Sequence, residues 1–474
     1  MALDLIEMGT DEQVEKDKSG KVTDVLPENI TSGMLYKDAF RIAWPSMVEL
    51  TLTQMTSMVG LMMVGQLGPW ALSAVGLTTQ PKFLMMTMFM AMNVGATAMV
   101  ARSKGAGDRN RANLMLRQAI LMTFIFSTTS SVLGYIFAEP LINLMGATDA
   151  QSLKGGVDYF RIQMIGLPFL ALTSTATATL RGVGNSRTAM VYNITANVVN
   201  VIFNYLLVTG KFGFPRWEVV GSSIATVMGQ TLAFILAYIA LLGNKNYIQL
   251  NLKDGFMPDK AAIGSIVKIG LPAMLEQAMM RVGVILYTRM VVSLGVLAYA
   301  THQVCMNIQA FSFMNGQAFA VSATSLTGQS LGKKRIDMAQ AYTKRTRRIG
   351  MYFSITIALV CFFFGGPLVA LYTTDPEIIE NGRKIMMIIA LVQPLQSSQF
   401  ILAGALRGAG DTKSIAIITF VTILIVRPLL AYLLIYPFGF GLTGAWVALA
   451  IDQAMRSAFV VMRYYSGKWK HIKI

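Results

Sequence analysis

Pro45-Ser46-Met47-Val48-Glu49 returns later in the chain as Pro272-Ala273-Met274-Leu275-Glu276, 227 residues on. The same 227-residue step carries Leu67-Gly68 onto Leu294-Gly295, Ala96-Thr97 onto Ala323-Thr324, Gly105 onto Gly332 and Ala112 onto Ala339. Leu180-Arg181-Gly182-Val183-Gly184 recurs as Leu406-Arg407-Gly408-Ala409-Gly410 at a step of 226. Gly221, Ala225 and Gln230 recur as Gly444, Ala448 and Gln453 at 223. A register that slips so little across half the chain marks a duplicated unit. In an apolar chain, such duplication builds two lobes around one pathway.

The chain is apolar. Hydrophobic residues make up 54% and charged ones 14%, with a mean hydropathy of +0.54. A soluble domain carries roughly 25% charged residues, so this chain lacks the polar surface to stay in water. Long apolar runs recur at 120–137, 162–180, 231–242, 349–370, 385–405 and 415–436. A spanning helix needs about 20 mostly apolar residues, and an interior proline is tolerated inside a bundle. The runs are continuous where a β-barrel would alternate. The reading is twelve spans, near 37–64, 72–101, 114–138, 156–180, 187–210, 220–243, 263–292, 297–329, 346–371, 383–406, 414–437 and 441–464.

The expected fold is therefore an all-α integral membrane protein with twelve transmembrane helices in two six-helix bundles. Residues 37–243 form a first lobe and 263–474 a second, joined by a polar linker at 244–262. Six spans per half is an even number, so both halves enter from the same side, as a parallel repeat. Residues 1–36 are polar, lack the apolar core of a signal peptide, and read as a partly disordered cytoplasmic tail.

The net charge of +16 raises the question of nucleic acid, and its placement answers it. Arg102, Lys104, Arg109, Arg111 and Arg117 follow span 2, and Lys245, Lys253, Lys260 and Lys268 join the halves. Lys333, Lys334, Arg335, Lys344, Arg345, Arg347 and Arg348 follow span 8. The intervening loops around Pro69, Ser293 and Gly439 carry no charge. This is the positive-inside pattern: it indicates a bilayer partner, both termini in the cytoplasm and no nucleic-acid surface. Trp70, Trp217 and Trp469 fall at span ends, where interfacial anchors belong. Cys305 and Cys361 lie in apolar spans as small hydrophobes. No metal-ligand spacing, nucleophile triad or phosphate loop is present, so neither an enzyme nor a cofactor is indicated.

The stretches MVGLMMVGQLGPWALSAVGL (58–77), GATAMVARSKGAGD (95–108), LRGVGNSRT (180–188), LRGAGDTKS (406–414) and YYSGKWK (464–470) resemble the multidrug and toxic compound extrusion (MATE) family. The resemblance covers nearly everything after the tail. It implies a V-shaped pair of bundles and an antiporter, in which H⁺ or Na⁺ moves inward while a small, often cationic, organic compound moves out. Such a protein works in the plasma membrane, needs no cofactor beyond its coupling cation, and is expected to function as a monomer. Two other readings stay open. One is a flippase for lipid-linked oligosaccharides of related architecture, and the other a non-transporting receptor or scaffold.

Ionisable residues at membrane depth cost about 2.5–3.5 kcal/mol each and are usually functional. Glu49 and Glu276 occupy matching places in spans 1 and 7, where they can bind a proton or Na⁺, or pair within their own lobe. Glu49, Thr53, Thr56 and Gly60 share one helix face. Many members of that family carry an Asp in span 1 where this chain has Gly60, and some an Asp in span 5 where it has Asn204; Met280 stands at a span 7 Glu of certain branches, whose span 10 Asp is also missing. Asn197, Asn200 and Asn204 share a face of span 5, and Gln393 and Gln396 have similar spacing in span 10. Their amides suit either Na⁺ ligation or hydrogen bonds between helices. His302 and Gln303, near the end of span 8, read as a gate or hydrogen-bonding pair. Asp452 and Arg456 are i, i+4 on span 12, and Arg427 can join them as a structural ion pair. Arg181 and Arg407 end their helices, and Gly182, Gly184, Gly408 and Gly410 are expected to supply positive φ for the turns.

Overall fold

A computed structural model describes residues 2–5, 27, 30–146 and 149–472. Among these residues the chain is all helical, with twelve long rods. We label them α1 (Ser32–Gly65), α2 (Pro69–Gly105), α3 (Arg109–Ile136), α4 (Ala150–Gly182), α5 (Ser186–Thr209) and α6 (Glu218–Leu242). The second half supplies α7 (Lys260–Val292), α8 (Val296–Gly332), α9 (Ile336–Ala370), α10 (Pro376–Gly408), α11 (Thr412–Ile435) and α12 (Gly441–Tyr465). A π-helical segment, Phe420–Val426, lies within α11.

Ten of the twelve are long and apolar enough to cross a membrane, the exceptions being α4 and α8. Their apolar content is diluted by hydroxyls that face inward. Thr175 and Thr179 in α4, and Ser322, Ser325, Thr327 and Ser330 in α8, are fully buried. Those hydroxyls bond to backbone carbonyls or to other polar side chains. Thr175 donates to Asn93 Oδ1 at 2.7 Å, and Ser330 donates to its own helix at Leu326 O. Buried hydroxyls that find acceptors in this way cost little.

The duplication is visible in packing. In the first half α4 packs on α3 and α6, and α5 on α6; in the second α10 packs on α9 and α12, and α11 on α12. Thr97 Oγ1 donates to Ala178 O at 3.2 Å, and its counterpart Thr324 donates to Gly404 O at 2.8 Å. Behind each bond stands a glycine of the Leu-Arg-Gly motif. A Cβ on Gly182 would lie 2.8 Å from Thr97 O, and one on Gly408 would lie 2.3 Å from Thr324 O. Both glycines are helical, which corrects the expectation of positive φ for them; they permit close backbone approach. Gly184 and Gly410 do turn left-handed, at φ +78° and +88°. There Asn185 N bonds to Leu180 O and Asp411 N to Leu406 O, both at 2.8 Å, closing each helix end.

Two compact units divide the chain at places other than the repeat boundary. The N unit holds Val48–Lys104 and Asp108–Met274; the C unit holds the residues through Met47, Gly105–Gly107 and everything from Leu275. Thus α1 and α7 each change unit within the helix, three residues after Pro45 and Pro272. An interior proline removes one backbone hydrogen bond and loosens the helix there. Residues 244–262 belong to the N unit, where Ile248 and Leu250 are buried and Asn246 bonds to Asn185 and Ala240 O.

Most of the expected tail lies outside the described residues. Ala2–Leu5 form a 3₁₀ turn whose Ala2 and Leu3 are buried with Leu35, Ala39 and Tyr342 of the C unit. Trp469, expected at an interface, is 1% exposed; it stacks on Tyr464 and donates to Tyr464 O at 2.8 Å.

Candidate functional site

Within the N unit, α1 and α5 meet along the two stripes picked out by their spacing. Asn193 Nδ2 donates to Glu49 Oε1 at 2.8 Å, and Asn197 Nδ2 donates to Thr53 Oγ1 at 2.9 Å. Both pairs are 144 residues apart, and so are Gly60 and Asn204. A Cβ on Gly60 would stand 3.1 Å from Asn204 Nδ2. Two helices running the same way therefore zip in register, an acid-and-hydroxyl stripe against an amide stripe. Asn200 lies on the same face, half-buried, with its Cβ against Gly229.

Gly60 and Asn204, the positions where the resemblance implies aspartates in other members, are thus neighbours in this chain. Asn204 is 4% exposed and, among the described residues, its Oδ1 has no hydrogen-bond partner. That leaves a buried carbonyl oxygen able to accept from a water or ligate a cation.

Glu49 is 5% exposed, and Arg181 Nη2 lies 2.8 Å from its Oε2. The arginine comes from the turn that ends α4. Asn193 also approaches Thr177 Oγ1 at 3.3 Å, and Thr177 shares a hydrogen bond with Tyr192 at 2.6 Å. The C unit repeats the device with fewer partners. Glu276, 4% exposed, pairs with Arg407 Nη2 at 2.5 Å, and among the described residues its Oε2 has no hydrogen-bond partner. Each glutamate lies on the second residue after the point where its helix changes unit.

In the rest of the C unit, Asp452 is fully buried between Arg427 Nη2 at 2.5 Å and Arg456 Nη2 at 2.6 Å. Arg456 Nε also donates to Thr422 Oγ1, on the π-helical stretch, at 3.2 Å. Gly283 of α7 lets that stretch approach, since a Cβ there would lie 2.9 Å from Ile423 O. Arg427 sits over the Tyr287 ring at 5.8 Å. His302 is interior, packed on Tyr287 and Trp446, with Nδ1 unpartnered. Gln303 is exposed and donates to Tyr299 Oη. Gln393 and Gln396 are both 3% exposed in α10, and Gln393 Nε2 lacks a partner.

Two residues escaped the sequence reading. Asn193 is one turn before Asn197 and simply extends the amide face. Lys82 is the only charged residue between Pro69 and Ala101, a signal plain in the sequence. It donates to Gln163 Oε1 of α4 at 2.7 Å.

Comparison with known proteins follows this geometry closely. A family model, MatE, matches twice, over residues 45–206 and 272–433, opening on Pro45 and Pro272. The probable multidrug resistance protein NorM of Thermotoga maritima is 28% identical over 436 residues, covering 92% of this chain and 93% of that protein. The multidrug resistance protein MdtK of Yersinia pestis is 25% identical over 422 residues, covering 88% and 92%. Among solved structures, the outward-facing conformation of a multidrug resistance MATE family transporter of the MOP superfamily aligns with TM-score 0.84 at 20% identity. That alignment covers 92% of this chain and 97% of the other. With the model matched on both halves, and relatives aligned nearly end to end, the chain belongs to the MatE family of secondary transporters.

Proposed function

We propose that this transporter exports small organic compounds in exchange for inward H⁺ or Na⁺, by alternating access and as a monomer. It would lie in the plasma membrane with both termini in the cytoplasm, the orientation that the Lys and Arg distribution favours. The observation that carries this reading is the acid-and-amide stripe of the N unit, buried at Glu49 and Asn204, with its counterpart at Glu276. Such groups are expensive at membrane depth and mark ion pathways. Glu276 Oε2 has no hydrogen-bond partner, and Asn204 Oδ1 has none either. A bound cation would satisfy oxygens of this kind. Asn197 and Asn200 would contact the cation or substrate in the N unit and Gln393 and Gln396 in the C unit, and Met-rich α1 and α2 would tolerate varied apolar bodies.

A clamp reading competes for Glu276, because Arg407 holds it at the end of α10. Swapping the charges, Glu276→Arg with Arg407→Glu, separates the two readings. A clamp survives the swap, whereas coupling does not.

Export is checked by ethidium accumulation in cells that overexpress the protein. Accumulation is expected to fall well below the vector control, and Glu49→Gln at equal membrane abundance is expected to restore it. Unchanged retention across a panel of dyes would remove the export reading.

A further inference from the structure

Lys82 carries a positive charge for which the described residues of the N unit provide no partner carboxylate. It lies 13 residues into α2 from Pro69, with no other charge in the helix until Arg102. At 1.5 Å per residue that is about 20 Å from Pro69 along the axis, well inside a hydrocarbon layer about 30 Å thick. Among the described residues the partner of its ammonium is a neutral amide, Gln163 Oε1 at 2.7 Å, and no carboxylate pairs with it. By contrast, Arg181, Arg407, Arg427 and Arg456 each face a carboxylate within 3 Å.

The amide is itself held. Gln163, 1% exposed, donates to Ser223 Oγ at 3.1 Å, and Ser223 donates to Tyr159 O at 2.9 Å. An ammonium has three donors, and Gln163 takes one. The remaining two belong to a partly buried group one helical turn from Met85 and Met86, which pack against the buried cluster that holds Phe89, Phe160 and Met164. A fixed amide, two free donors and an apolar wall make a receptor for an anionic group on an apolar body.

We infer that Lys82 binds the carboxylate of organic anions or zwitterions. This deepens the export reading and rests on it for the identity of the ligand as a substrate. The counter-charge that the protein does not supply comes from the ligand, and an acid at Glu49 leaves the same unit able to take a cation. A charge-assisted contact at such a site is worth about tenfold to a hundredfold in affinity.

The test uses purified full-length protein in detergent without added phospholipid. It compares 2-naphthoate with its neutral analogue 2-naphthamide by titration calorimetry. Wild type is expected to bind naphthoate at least about tenfold more tightly, a preference that Lys82→Arg keeps and Lys82→Met reduces to near unity with naphthamide affinity unchanged. Equal affinity of wild type for the two compounds overturns the inference, and this arm stands even should Lys82→Met not fold. Full naphthoate preference in a folded Lys82→Met protein overturns it as well. Binding is read without transport, so a protein that binds naphthoate through Lys82 but expels no dye loses only the export reading.

Discussion

Arg407→Gln is expected to destabilise the protein by about 3–5 kcal/mol, because it strips a buried carboxylate of its counter-charge. Glu276 is the more deeply buried partner, its side chain 5% exposed against 19% for Arg407. Removing the arginine should therefore cost more than Glu276→Gln, which leaves a cation that water can partly reach. The double variant, Glu276→Gln with Arg407→Gln, is expected to recover much of the loss, since two neutral amides can bond to each other. The repeat provides an internal control. Arg181→Gln should cost less than Arg407→Gln, because Glu49 keeps the Asn193 amide at 2.8 Å while Glu276 Oε2 has no second donor. Melting curves of the detergent-solubilised variants check the order Arg407→Gln, then Arg181→Gln, then the double variant. Equal melting temperatures for Arg407→Gln and wild type would show that the pair contributes nothing.

Asp452→Asn should be harsher still. Its carboxylate is fully buried and serves two guanidinium groups that are themselves 7% and 6% exposed. With Asn in its place two like charges remain together in a dry interior, each with a penalty of several kcal/mol. Arg427→Met alone leaves the Asp452–Arg456 pair intact and should be tolerated far better. Little monodisperse Asp452→Asn protein is expected from a membrane extract, against near-normal recovery of Arg427→Met. Normal recovery of Asp452→Asn would mean that the triad is hydrated and contributes little to folding.

The architecture was legible because duplication leaves several independent marks on a sequence. The Pro45 and Pro272 segments, the two Leu-Arg-Gly turns and the alternating charge pattern all point to the same twelve helices. Helix ends were less legible. The expected ninth span begins at 346, whereas α9 begins at Ile336. Its first turns mix the charged Lys344 and Arg345 with the buried Met338, Ala339 and Tyr342, a mixture that hydropathy averages away. The partner of each glutamate was also hidden. Glu49 and Arg181 are 132 residues apart and Glu276 and Arg407 are 131, so no local pattern joins them. The near-constant separation across the two repeats was nonetheless readable, as was the lone charge at Lys82. The role of Gly182 and Gly408 needed coordinates, because a helical glycine under a neighbouring carbonyl looks like a turn glycine in sequence.

Along the acid-and-amide stripe of the N unit, Gly60 and Asn204 are adjacent at one end, and Glu49 bonds to Asn193 at the other. At 1.5 Å per residue the two ends of that stripe are about 16 Å apart.

The central claim is that a gradient of H⁺ or Na⁺ drives transport through these submerged carboxylates. Its most direct test is substrate exchange in proteoliposomes under an imposed ΔpH or ΔNa⁺, for wild type and for Glu49→Gln and Glu276→Gln at matched protein content. One of the two gradients should drive uphill movement in wild type, and the variants should lose that drive. Indifference of wild type to both gradients, or undiminished coupling in both variants, would contradict the account.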